Sequence, residues 1–118
     1  MSGYLGLDTS NYTTSAAYWA MGADKPVQAK QLLPVKMGEM GLRQSDAVFH
    51  HTRQLPDVME RLTEAMAGGI SAVAASDRPQ QVDGSYMPCF SVGTNTAKII
   101  SATLNIPLYE FSHQEGHI

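Results

Sequence analysis

Apolar and polar residues alternate along the first third of the chain, which is the pattern of strands that bury one face. The alternation predicts strand one over residues 4–9, strand two over residues 14–21 and strand three over residues 27–33. Residues 22–26, which include a glycine and a proline, predict a turn between the second and third strands. We therefore expect these three strands to form an antiparallel meander.

After the third strand, apolar side chains recur at intervals of three and four residues, which is a helical period. This spacing predicts one long helix over residues 45–67, ended by the glycine pair at 68 and 69. Its predicted apolar face consists of Val48, Leu55, Val58, Met59, Leu62 and Met66. Pro56 lies inside this segment, so it either kinks the helix or marks its first turn.

The remainder of the chain predicts strand four over residues 70–75, a second helix over residues 89–104 and strand five over residues 107–111. The resulting order, βββαβαβ, is that of an RNase H-like lobe. From this order we expect strands four and five to join the meander in parallel through right-handed crossovers, giving an α/β fold with a mixed five-stranded sheet.

Composition agrees with one folded domain. The chain has 118 residues, of which 43% are hydrophobic and 16% charged, and this excludes a disordered class. The net charge of −3 and the scattered lysines and arginines argue against a nucleic-acid surface on this chain, since binding to phosphates needs clustered cations.

The sequence also bears on location. The lone Cys89 permits no internal disulfide, which suits a reducing compartment. The chain opens without a signal-peptide pattern, and no apolar run is long enough to span a bilayer. These features predict a cytoplasmic protein with no membrane partner.

Two histidines near the end of the chain are candidate metal ligands. His113 and His117 lie four residues apart after strand five, and Ser112 is a suitable N-cap for a helix that would place both rings on one face. Two such imidazoles can reach one ion. The motif is not that of zincin peptidases, in which Glu directly follows the first His. Two exposed histidines on a frayed end are the alternative.

The first strand ends in a second candidate site, formed by Asp8, Thr9, Ser10 and Asn11. Small hydroxyl residues at such a turn bring N–H and O–H groups close to an anion. Asp8 could hold a metal ion or its water. The same residue types are also ordinary turn formers.

Three segments of the chain resemble, in the same order, the tRNA threonylcarbamoyladenosine transferase family (Kae1/TsaD/Gcp), formerly described as O-sialoglycoprotein endopeptidases. They are LGLDTS with the following Thr14 and Ala17, SVGTNTAKIIS at residues 91–101, and HQEGH at residues 113–117. The resemblance implies the actin/Hsp70-like fold of two lobes. Residues 1–118 would be the N-terminal lobe, and the second lobe would be absent.

The resemblance also implies a ligand set. His113 and His117 would hold Fe(II) or Zn(II), weakly in this lobe alone, because the family takes a further Asp ligand from the second lobe. Asp8, Thr9, Ser10 and Asn11 would face the phosphate of ATP or an adenylate. The implied partner is a second copy or a related subunit, with tRNA bound only through a larger complex.

The chain departs from the family at two places. Active transferases continue the Asp-Thr-Ser motif with Cys-Asp-Glu-Thr, whereas residues 11–14 here read Asn-Tyr-Thr-Thr. They also carry a Gly-Pro-Gly loop after strand four, and residues 76–88 contain none. The chain therefore resembles a divergent paralogue. Three functions stay open: a metal-dependent, nucleotide-binding transferase, a non-catalytic dimerising partner and, ranked last, a metallopeptidase.

Two further histidines on the first helix carry less weight. His51 lies on the apolar stripe, so we expect it at the edge of the core. His50 points about 100° away from it on a helix. His50 corresponds best to a family histidine near the active site and is a minor candidate.

Overall fold

The computed structural model describes residues 2–10, 12–34, 43–79 and 87–113. Its strands and helices are β1 (Gly3–Asp8), β2 (Thr13–Ala20), β3 (Val27–Leu32), α1 (Gln44–Glu60), β4 (Ile70–Arg78), α2 (Phe90–Leu104) and β5 (Leu108–Ser112), with a short 3-10 helix, Ala65–Gly68, before β4.

The five strands form one mixed sheet in the order β3-β2-β1-β4-β5. The first three strands form an antiparallel meander, β4 pairs in parallel with β1, and β5 pairs in parallel with β4. The predicted βββαβαβ order and mixed sheet are therefore confirmed. The strand bounds differ from the prediction by at most three residues, and the starts of β3 and β4 agree with it.

The core lies between the sheet and both helices, which pack on the same face. Leu5 and Leu7 of β1 are almost fully buried against residues of α1 and α2 such as Val58 and Ala97. Alternate residues of a strand point to the same face, so the period-two pattern of β1 accounts for this burial. Tyr18 lies in the same core and donates its hydroxyl proton to the carbonyl of Gly69, at 2.6 Å.

The opposite face of the sheet has a floor of small residues. Gly6 pairs with Ala17 of β2 and with Ala74 of β4, and both described helices lie on the other side. Around this floor several large apolar side chains are exposed: Tyr4, Trp19, Leu32 and Tyr109. None of the described helices combines the length and the hydropathy that a transmembrane span requires.

The prediction of one helix over residues 45–67 was wrong in its last third. The helix α1 ends at Glu60, and Leu62 and Thr63 then donate to carbonyls three residues back, at 3.0 and 3.2 Å. This tighter winding keeps Leu62 fully buried while the chain turns toward β4. The apolar spacing therefore continued past the true end of the helix. Pro56 lies in the interior of α1, not in its first turn.

Candidate functional site

Three neighbouring parallel strands end at the same edge of the sheet. The strand β1 ends at Asp8, β4 ends at Arg78 and β5 ends at Ser112. Ligand sites of open α/β sheets form outside the carboxyl ends of the strands. This edge therefore brings together Asp8, which begins the predicted phosphate site, and Ser112, which directly precedes the predicted metal ligand His113.

Asp8 and His113 meet at this edge although 105 residues separate them. The imidazole Nδ1 of His113 lies 2.6 Å from Oδ2 of Asp8 and 3.1 Å from the hydroxyl of Ser10. The backbone N–H of His113 donates to the carbonyl of Arg78 at 2.7 Å, which holds the residue just past the last pair of β5 with β4. The sequence predicted each motif, and the structure brings them together.

The second oxygen of Asp8 is also used. Its Oδ1 accepts the backbone N–H of Ser10 at 2.9 Å, the local turn that aspartate commonly forms two residues before a donor. The side chains of His113 and Asp8 are 31% and 23% exposed. The pair is therefore reachable from solvent but partly shielded from it.

Thr9 connects the end of β1 to α2 on the helix side of the sheet. Its side chain is fully buried, donates to the carbonyl of Cys89 at 2.9 Å and accepts the backbone N–H of Gly93 at 3.1 Å. A side chain at position 93 would place its Cβ 3.2 Å from the Thr9 hydroxyl oxygen, so glycine allows this contact. Because the Thr9 side chain is committed to α2, a ligand at this edge would meet the backbone of Thr9.

The strand β4 continues past its predicted end and bulges. Ser76 pairs with Phe111 and Arg78 pairs with Ser112, so Asp77 is the extra residue of β4. The Arg78 guanidinium contacts the Asp77 carboxylate at 2.6 Å. Residues 76–78, which begin the stretch without Gly-Pro-Gly, thus form the end of a strand.

Ser76 is a site residue that sequence reasoning missed. It is fully buried, and its hydroxyl has no hydrogen-bond partner in the described part of the chain. Ala75 pairs with Leu7, so continuing the register by one residue sets Ser76 beside Asp8 on the helix-free face. A serine after an alanine run carries no sequence signal of this position.

Two clefts flank the edge. One, of about 270 Å³, lies on the helix-free face, and its lining includes Asp8, Ser15, Lys30 and Phe111. The other, of about 360 Å³, lies against α2, and its lining includes Arg78, Ser91, Asn95, Lys98 and Glu110. Polar groups thus reach a small-molecule space on both sides of the strand ends.

The other described histidines lie on α1. His51 is fully buried, deeper than the predicted core edge, with its Nδ1 2.7 Å from the Thr14 hydroxyl. Gln54 donates to the same hydroxyl at 3.0 Å. His50 is half-buried, and its ring packs edge-on against Phe49 with centroids 5.3 Å apart.

Two predicted site residues, Asn11 and His117, lie outside the described residues. Within the described ranges, no three His, Cys, Asp or Glu side chains are grouped so as to hold a metal ion. The metal role of His113 and His117, and the phosphate-facing roles of Asp8, Thr9, Ser10 and Asn11, stay predictions.

A comparison of sequences finds one relative in the predicted family. Over 82 residues the chain is 33% identical to the tRNA N6-adenosine threonylcarbamoyltransferase of Methanopyrus kandleri. The match covers 66% of this chain and 22% of that protein, so the chain spans about a fifth of its length. No protein-family model matches the chain.

Comparison of structures supports the fold. YeaZ from Pseudomonas aeruginosa superposes with a TM-score of 0.65 at 20% identity, covering 95% of this chain and 44% of that chain. A second structure, described as an uncharacterized protein with similarity to peptidase YEAZ from Pseudomonas aeruginosa, gives 0.64 at 20% identity, with the same coverage.

At that identity the likeness shows the fold alone, which is the RNase H-like lobe of actin-like proteins. Together with the sequence match, it confirms the resemblance drawn from the motifs. Over part of its length the chain is thus similar to a member of the threonylcarbamoyltransferase family.

Proposed function

We propose that this chain is the metal-ligating lobe of a tRNA threonylcarbamoyltransferase-like protein. The observation that carries the proposal is the contact of His113 Nδ1 with the Asp8 carboxylate, 2.6 Å, at the carboxyl edge of the sheet. The sequence match to the Methanopyrus kandleri enzyme supports the same family of reactions.

The described residues fit a metal site in one specific respect. A histidine that ligates a metal through one ring nitrogen usually donates its other N–H to a carboxylate or carbonyl. Asp8 stands in that relation to His113. His113 and His117 would hold Fe(II) or Zn(II), and a carboxylate from a second lobe would add a third protein ligand, as in catalytic sites of both metals.

A metal held there supplies Lewis-acid chemistry toward a phosphate or carbonyl oxygen. Asp8 carries a negative charge at the same edge, so a phosphate of ATP or an adenylate would approach it unfavourably without a cation between them. Ser10, whose hydroxyl lies 3.1 Å from the His113 ring, lines the approach. In this proposal Asp8 and Ser10 orient the metal ligand His113, and a bound cation would offset the charge of a phosphate at this edge.

The test is zinc uptake by the purified chain, measured by calorimetry and by metal content. We expect weak uptake that His113→Ala and His117→Ala each abolish. Asp24→Asn, which removes an exposed carboxylate on a distant turn, should leave uptake unchanged. Equal zinc binding by the wild type and both histidine variants would overturn the metal-dependent function.

A second candidate, a non-catalytic dimerising partner, is favoured by different observations. Tyr12 and Thr13 stand where active transferases carry Asp and Glu, and Thr13 begins β2. The helix-free face also exposes Leu32 and Tyr109 on its two edge strands, at 65% and 60%, with the exposed Tyr4 and Trp19 on strands between them, and exposed apolar side chains spread over one face suit an interface. The partner would be a second copy or a related subunit, and tRNA would bind only through a larger complex.

Sedimentation separates this candidate from the first. The partner function predicts a two-fold dimer without metal, dissociated by the paired change Leu32→Ser and Tyr109→Ser. Ile99→Ser is the matched control, since Ile99 is equally exposed (66%) but belongs to α2 on the other face. A wild-type chain that stays monomeric at high concentration would count against the partner function.

A further inference from the structure

The Asp8 carboxylate receives two donors, one on each oxygen. The backbone N–H of Ser10 reaches Oδ1 at 2.9 Å, and Nδ1 of His113 reaches Oδ2 at 2.6 Å. An ionised carboxylate can only accept hydrogen bonds. The short distance to His113 therefore requires that Nδ1 carry a proton.

We infer that Asp8 is a positioning residue that holds His113 in the tautomer with its proton on Nδ1. The neutral ring then has its lone pair on Nε2, so Nε2 would be the atom that ligates a metal. The metal part of this inference rests on the proposed function, whereas the tautomer itself does not.

Ser10 has a lesser part in this arrangement. Its hydroxyl lies 3.1 Å from the same Nδ1, longer than the 2.6 Å contact with Asp8. The hydroxyl oxygen can accept part of a shared hydrogen bond, but it can also rotate to donate. Of these two partners, the charged carboxylate is the one that imposes a direction on the Nδ1 proton.

Replacing Asp8 by asparagine keeps the shape and removes one acceptor. The two donors meet different oxygens of the carboxylate, so the single oxygen of an amide can occupy the position facing the Ser10 N–H or the position facing the His113 N–H, but not both. The Ser10 donor belongs to the backbone and cannot be withdrawn. The amide NH2 should therefore face the ring, and Nδ1 should become an acceptor while Nε2 takes the proton.

The experiment records long-range ¹H–¹⁵N spectra of the imidazole nitrogens in metal-free, ¹⁵N-labelled protein, at alkaline pH where neutral rings predominate. The His113 signals are identified by their loss in His113→Ala. We expect Nδ1 protonated in the wild type, Nε2 protonated in Asp8→Asn, and the wild-type pattern in Ser10→Ala and in the control Asp24→Asn.

A wild-type ring protonated on Nε2 would overturn the inference, and so would an unchanged tautomer in Asp8→Asn. Should Asp8→Asn fail to fold, the wild-type spectrum decides alone. Zinc titration is the second readout, because loss of such a partner commonly weakens metal affinity about 10- to 100-fold. An Nδ1–H tautomer in a wild type that takes up no zinc would support the positioning role and reject the metal function.

Discussion

Two histidine clusters in this molecule have opposite surroundings. His113 at the carboxyl edge has a side chain 31% exposed and contacts the Asp8 carboxylate. His51 beneath α1 is fully buried and contacts the neutral hydroxyl of Thr14. A histidine with a charged partner and solvent access can exchange protons or bind an ion. One that is fully buried against a hydroxyl serves mainly to pair buried polar atoms.

The buried cluster also joins the first helix to the sheet. Gln54 of α1 donates to the Thr14 hydroxyl of β2 at 3.0 Å and to the carbonyl of Gln31 of β3 at 3.3 Å. Arg61 extends the connection to the Lys30 carbonyl, at 3.0 Å. The meander is thus held to α1 by polar bonds as well as by apolar packing, while the edge cluster joins the two ends of the chain.

The largest expected effect is in the buried cluster. His51→Ala should lower the free energy of unfolding by about 3 kcal/mol, because it opens a cavity and removes one of the two side-chain partners of the buried Thr14 hydroxyl. Urea denaturation measures the change. His50→Ala on the same helix is the control and should change stability by less than about 0.5 kcal/mol. Equal losses from the two variants would contradict the structural role of His51.

The next effect concerns the packing of Thr9 against α2, which supports the edge cluster. Gly93→Ala places a Cβ 3.2 Å from the Thr9 hydroxyl oxygen, which is held by two hydrogen bonds. Overpacking of about 1–3 kcal/mol should outweigh the about 1 kcal/mol by which a helix favours alanine over glycine, so we expect the free energy of unfolding to fall by about 1 kcal/mol. Thermal unfolding measures it. Gly6→Ala is the matched control, since nothing lies within 4 Å of its added Cβ. If Gly6→Ala lowered the free energy of unfolding as much as Gly93→Ala, the close packing of Thr9 on Gly93 would be refuted.

The two clusters also differ in how far the sequence could predict them. The alternation around Leu5 and Leu7 was enough for β1, and the motifs identified Asp8 and His113 singly. Their contact needed the strand order, since β4 lies between β1 and β5. The true end of α1 was missed because Leu62 stays in the core after the helix has ended.

Ser76 could not be predicted for a related reason. Its position beside Asp8 depends on the parallel register of β4 with β1, and no local pattern encodes that register. The burial of a hydroxyl without a described partner is a property of the folded molecule only. Buried unpaired groups of this kind tend to mark functional sites, where stability is lower than it could be.

Removing that hydroxyl should therefore stabilise the protein. Ser76→Ala is expected to raise the free energy of unfolding by about 1 kcal/mol, because an unpaired buried donor no longer has to be desolvated. Ser101→Ala is the opposite control, since the Ser101 hydroxyl donates to the Ile106 carbonyl at 2.6 Å and its loss should destabilise. Denaturant midpoints compare the two, and a loss of stability in Ser76→Ala would show that the hydroxyl is paired.

The smallest effect tests the charge difference between the clusters directly. A double-mutant cycle of Asp8→Asn and His113→Gln should give a coupling of about 0.5–1 kcal/mol at low salt, since both groups are partly exposed. Salt should weaken this coupling, because one partner is a carboxylate reachable by counterions. A cycle of Thr14→Val and His51→Gln should give a coupling that salt leaves unchanged, because both groups are fully buried and the hydroxyl is neutral. Two couplings with the same salt dependence would mean that Asp8 does not act on His113 through its charge.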